Sequence, residues 1–161
     1  MRKLLHFGAG FLGVLAVVVL LSPWLLYELG LSRFDTMPAK PAQMVTAEQQ
    51  AWVWRLVHGT GQPKLERMSP YGVAWRLVSG DQPSVTPGET LAYWMARDYV
   101  WRLPRRNMSW WHLTTGAMTI WLTRNWSAEE LASAAYPVMS QWPPGKVLVP
   151  AGEVAGALPA R

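Results

Sequence analysis

The chain has 161 residues, 15 basic against 10 acidic side chains, half of its residues apolar, and no cysteine. That length fits one domain; the apolar fraction excludes a disordered protein, and the mixed charge a histone-like tail. Without cysteine there is no disulfide scaffold, no thiol nucleophile and no cysteine-ligated zinc or iron–sulfur site.

Arg2 and Lys3 precede an uncharged run from Phe7 to Tyr27. At about 1.5 Å per residue this run spans roughly 31 Å, enough to cross a hydrocarbon core as a helix. Pro23 falls near its far end, followed by Trp24 and Tyr27, an aromatic pair suited to the interface. A cleaved signal peptide is the rival reading. Its apolar region should be about 7–15 residues long and end in an A-x-A site, and Glu28-Leu29-Gly30-Leu31-Ser32-Arg33 holds none. Residues 1–32 are therefore expected to form an uncleaved membrane anchor. Arg2 and Lys3 on one side balance Arg33 and Lys40 on the other, so the positive-inside rule decides little. The short basic start favours a cytoplasmic N-terminus, with the body on the periplasmic side of the inner (cytoplasmic) membrane.

Residues 33–45, with Pro38 and Pro41, read as an extended linker. Thr46 opens a helix, with Gln49 in capping-box position. Ser69-Pro70 gives a second start and Gly80 a stop. Thr86-Pro87-Gly88-Glu89 is a third start, for a helix running to about Leu103 before Pro104, with Glu89 read as a capping residue. Ser109 opens a fourth helix toward Arg124, with Asn125 as a left-handed terminator. Ser127-Ala128-Glu129-Glu130 is a capping box for a fifth, reaching Met139. The tail, 143–161, is rich in Pro, Gly and Ala, with one short strand at most around Val147–Val149. The expected fold is all-α: a transmembrane helix, a linker, and a bundle of about five helices over residues 46–142.

Eleven tryptophans are a heavy load for so small a body. Trp52, Trp54, Trp94, Trp101, Trp110, Trp111, Trp121 and Trp126 are too many for one small core, so some should face a membrane or a partner. Charge is concentrated too. Between residues 97 and 124 five arginines stand against Asp98 alone. Arg97, Arg102, Arg105 and Arg106, flanking Trp101, Trp110 and Trp111, suit lipid phosphate or headgroups, with the tryptophans at the acyl boundary or on a partner. Nucleic acid is not expected on that side of the membrane. His6, His58 and His112 have no metal-ligand spacing, and neither a metal nor a cofactor is expected. Among the carboxylates, Glu48 lies in a first helical turn, where the helix dipole accounts for it. Glu66, between Lys64 and Arg67, reads as a surface ion pair.

The stretch PGETLAYWMARD, Pro87 to Asp98, resembles G-G-S-T-I-T-Q-Q-L-A-K-N. That motif belongs to the peptidoglycan glycosyltransferase (transglycosylase) module of bifunctional penicillin-binding proteins. Gly88, Thr90, Ala96 and Arg97 fall in register, with Leu91 and Met95 as conservative matches. Downstream, Ala117 to Tyr136 is similar to the family's helix, S-K-E-E-I-L and Y-L-N, through Ser127, Glu129, Glu130 and Leu131. The spacing between the two segments agrees, and Tyr136 falls one place late. The resemblance implies a reduced lysozyme-like domain on a membrane anchor, acting on a lipid-linked peptidoglycan precursor.

The departures bear on catalysis. The motif's serine is Glu89 here, and its two glutamines are Tyr93 and Trp94. The family's second glutamate falls near Thr115, and its E-D-x-x-F-Y-x-H-x-G string is absent. In the family that string's glutamate deprotonates the attacking sugar hydroxyl, and basic side chains hold the pyrophosphate. Without a positioned base, a factor of roughly 10²–10⁴ in rate is lost. The resemblance thus implies a catalytically degenerate binding or accessory component. Two alternatives stand beside it: a divergent active glycosyltransferase using Glu48, a weak candidate, as its base; and a bitopic assembly or adaptor protein, unrelated to that family, docking another cell-envelope protein.

Overall fold

The computed structural model describes residues 2–79, 84–104 and 107–141, with side chains from Gly13 onward and without that of Leu77. The described residues form six helices and no strand: α1 (Arg2–Leu31), α2 (Ala47–Leu56), α3 (Pro70–Ser79), α4 (Pro87–Trp101), α5 (Met108–Asn125) and α6 (Ala128–Met139). Arg105, Arg106, Gly80 and the tail beyond Gln141 lie outside the described residues.

Most helix starts follow their capping chemistry. Thr46 with Gln49, and Ser127 with Glu130, form complete capping boxes. Ser69 Oγ accepts the Gly72 N–H at 3.0 Å. Thr86 Oγ1 accepts the Glu89 N–H at 3.2 Å. The start of α5 is a correction: Asn107, not Ser109, is the cap, its Oδ1 accepting the Trp110 N–H at 3.0 Å. The end of α5 is another. Asn125 is helical and donates its side-chain amide to the Trp121 carbonyl, and the chain leaves through an extended Trp126 rather than a left-handed residue.

α1 is long and apolar enough to cross a membrane. Pro23 removes one backbone donor from its interior, leaving the Val19 carbonyl without its usual partner. The Ser22 hydroxyl donates to that carbonyl at 3.0 Å. The side chains from Val14 to Leu21 are exposed, as are Leu25, Leu26 and Leu29. On the other face Tyr27 and Leu31 are buried in the core. Gly30 meets α5 so closely that a β-carbon would lie 2.5 Å from Ala117 Cβ and 2.9 Å from the Leu113 carbonyl oxygen. The last turns of α1 are thus a core element of the body. Residues 33–45 run on across it: Phe34 packs on the core, Lys40 Nζ lies 2.9 Å from Glu130 Oε1, and the Val45 N–H donates to Ser133 Oγ at 3.3 Å.

α5 lies between α1 and α4, and α6 joins α4 to α2. Leu91, Met95, Met118, Leu122, Leu131 and Met139 fill the centre, while Ala92, Ala96, Ala132 and Ala135 keep the helices close. Directions matter for function. Arg124 sits over the Trp24 ring at 5.5 Å, whereas Gly30 faces Leu113 and Ala117. α1 and α5 are therefore antiparallel, and the C-terminal end of α5 is nearest the apolar stretch of α1. The other end of α5, beside the short α4–α5 connection, is about 24 Å away at 1.5 Å per residue. The segment before α3 is tied to the near end. Its Met68 N–H donates to Thr123 Oγ1, and Arg124 Nη1 donates to the Met68 carbonyl, both at 3.2 Å.

Candidate functional site

Two regions of the body collect charged groups, the second with aromatic rings beside them. The first lies at the near end, where the segment before α3 meets the start of α4. Gly88 passes so close to the Lys64 carbonyl that a β-carbon there would lie 2.6 Å from its oxygen. The same two segments line a cavity of about 190 Å³ with α3, through Glu66, Arg67, Ser69, Gly72, Arg76 and Glu89, among others. Glu89 corrects its sequence reading in part. Its backbone N–H is capped by Thr86, but its carboxylate turns to Arg76 Nη1 at 2.6 Å instead of back to the cap. Glu66 is exposed and 3.7 Å from Lys64, the surface pair expected of it.

The second region is the far corner, where α4 ends and α5 begins. The Arg97 guanidinium lies 4.7 Å from the Trp94 ring centroid. Arg102 pairs with Asp98 at 2.5 Å, one helical turn back, and lies 5.8 Å from the Tyr99 ring. Burial raises the Tyr99 hydroxyl above its ordinary pKa; Arg102 opposes that shift and Asp98 adds to it. Trp101 and Met108 are 60 % and 69 % exposed.

The tryptophans named from the sequence divide. Trp101 is exposed and Trp110 half-buried. Trp111 packs against the core with its indole Nε1 buried and without a hydrogen-bond partner. Trp111 thus contributes to the interior as well as the surface. Glu48 is exposed in the first turn of α2 and lines neither of the two cavities described, the second being a larger one between residues 39–49 and α6. Thr115, where the resemblance would put a second carboxylate, is buried in α5. Among the described residues no group of three or more His, Asp or Glu could hold a metal ion.

Trp75 stands outside the tryptophans singled out from the sequence, yet on α3 it is 68 % exposed, with Val78 at 83 % and Tyr71 also exposed. Positions 71, 75 and 78 share one helical face, a spacing the sequence does carry. No protein-family model matches the chain, and neither a curated protein nor a solved structure does.

Proposed function

We propose that this chain is a single-pass cell-envelope protein, held by α1 in the inner membrane with its body on the periplasmic side. The body is a glycosyltransferase-like domain serving as a binding or accessory component for a lipid-linked peptidoglycan precursor. The observation that carries the reading is the seat of Tyr27, Gly30 and Leu31 in the core. A helix removed by cleavage would take those groups with it, at about 1.5–3 kcal/mol for each large apolar side chain. An uncleaved α1 keeps the fold whole and holds the body at the bilayer surface, where a lipid-linked precursor carries its pyrophosphate.

Several features support binding over polymerisation. Glu48 lines neither of the cavities described, and Glu89, in the place of the motif's serine, is engaged by Arg76. The cavity at the membrane-proximal end is lined by Arg67 and by Arg76, which Glu89 already pairs, together with Glu66; arginine chemistry suits phosphate oxygens. Full-length protein incubated with radiolabelled lipid II tests the proposal. Polymerisation should stay at the no-enzyme level, and the precursor should co-purify with the protein, an association lost in Arg67→Ala/Arg76→Ala. Robust glycan synthesis would overturn the accessory role, and no retention would overturn the ligand.

A second reading, an adaptor for another envelope protein, is favoured by the exposed Trp101 and Met108 beside Arg97 and Arg102. That corner lies at the far end of α5, about 24 Å from the Trp24 level, a position better suited to a partner protein than to headgroups. Trp101→Ala/Met108→Ala should then abolish a pull-down from envelope extracts while vesicle association stays unchanged. Loss of vesicle association instead would return the corner to a lipid role.

A further inference from the structure

Building on the membrane-anchored reading, we propose that α3 is a second membrane contact. Its Tyr71–Trp75–Val78 face lies in the headgroup–acyl boundary of the leaflet through which α1 leaves the bilayer. The occupant of this face is lipid. This face is continuous with the apolar surface of α1. The Tyr71 hydroxyl donates to the Leu20 carbonyl at 2.7 Å, within the exposed apolar stretch of α1 and four residues before Trp24. α3 therefore packs beside the part of α1 that lipid covers, and its exposed face extends that apolar surface sideways.

The chemistry of the face agrees with an interfacial seat. Tyrosine and tryptophan put an apolar ring and a polar tip at such a boundary. The one charged residue within α3, Arg76, is turned inward onto Glu89 and so spares the face an unpaired charge. Lys64 and Arg67, in the segment just before α3, are exposed where anionic headgroups would lie. A helix of 10 residues cannot span a bilayer. It can lie in the interface, as amphipathic helices with an aromatic face do.

The absence of cysteine makes the test direct. Single-cysteine variants of the full chain, Val18→Cys on α1, Val78→Cys on α3 and Met108→Cys at the far corner, carry an environment-sensitive fluorophore. Each is placed in vesicles of phosphatidylcholine and phosphatidylglycerol. Quenching by a nitroxide carried on the upper acyl chain is compared with quenching by aqueous iodide, and Trp75→Cys repeats the α3 measurement on the same face. The labels at 18 and 78 should be quenched from the lipid, with iodide quenching several-fold weaker than at 108. A label at 78 that iodide reaches, with 18 still in lipid, overturns the proposal and leaves the anchor standing. A label at 78 shielded from both quenchers also overturns it, because protein then covers the face. A label at 18 open to iodide defeats the anchored reading itself, and this inference with it.

Discussion

At Gly30 a single added methyl group tests how α1 meets the body. Its carbon would lie 2.5 Å from Ala117 Cβ and 2.9 Å from the Leu113 carbonyl oxygen, against about 3.5–4.0 Å for a relaxed carbon contact. The oxygen belongs to backbone and cannot rotate away, so α1 and α5 must separate. Overpacking of this kind costs about 1–3 kcal/mol. Alanine returns at most about 0.8–1 kcal/mol of helix propensity, and less here, one residue from the end of α1. The net loss for Gly30→Ala is therefore about 1–2 kcal/mol, and a domain of about 100 residues loses about 4–8 °C in Tm for each kcal/mol. Gly30→Val, bulkier and with less propensity to recover, should lose more. Thermal unfolding of the full chain in detergent, followed by near-ultraviolet circular dichroism, measures the change. Gly13→Ala is the control, since nothing lies within 4 Å of a β-carbon there. A Gly30→Ala Tm equal to or above that of the unaltered chain refutes the packing described for α1 and α5.

Other substitutions probe separate joints. Thr123→Val removes the acceptor of the Met68 N–H and should cost about 1–3 kcal/mol, with faster hydrogen exchange at Met68. Trp111→Ala should destabilise, though by less than the about 3–5 kcal/mol of a fully buried tryptophan. Trp101→Ala should stay within about 0.5 kcal/mol, and denaturant titration of the two variants separates core from surface. Glu130 accepts the Ser127 N–H and pairs with Lys40, and these contacts hold its carboxyl below the ordinary glutamate value. Its contribution is therefore complete above the unfolded-state pKa and is lost as pH falls through the lower folded-state value. Glu130→Gln should flatten the acid limb of a stability-against-pH curve, and an unchanged acid limb would contradict this.

Local chemistry was legible in the sequence, and contacts between distant segments were not. Thr46 with Gln49, Ser127 with Glu130, and Thr86-Pro87 mark helix starts because donor and acceptor lie within three residues of each other. The start of α5 was misplaced because Asn107 and Ser109 both have capping chemistry, and only the Asn107–Trp110 hydrogen bond decides between them. Glu89 reads locally as a cap, since its partner Arg76 is on another helix. Gly30 reads as one more small residue of an anchor, and its reason is the backbone of α5, more than eighty positions away. Of the residues proposed for function, Arg97 lies over Trp94 and Arg102 pairs with Asp98, each one turn back along the chain, and Trp101 is exposed at the end of α4. The cavity with Arg67, Arg76 and Glu89, by contrast, is assembled from α3, α4 and the segment before α3, and no window of the sequence shows it.

Removing residues 1–31 and comparing the truncated body with the full chain by cooperative thermal unfolding measures directly what α1 contributes to the fold. Tyr27 and Leu31 would leave the core, and the cover of Trp24 over it would go too. At about 1.5–3 kcal/mol for each large apolar side chain, that is a large part of the about 5–15 kcal/mol that holds a domain together. The truncated body should show no cooperative transition at the full chain's midpoint. An unchanged midpoint would contradict this and reduce α1 to a tether.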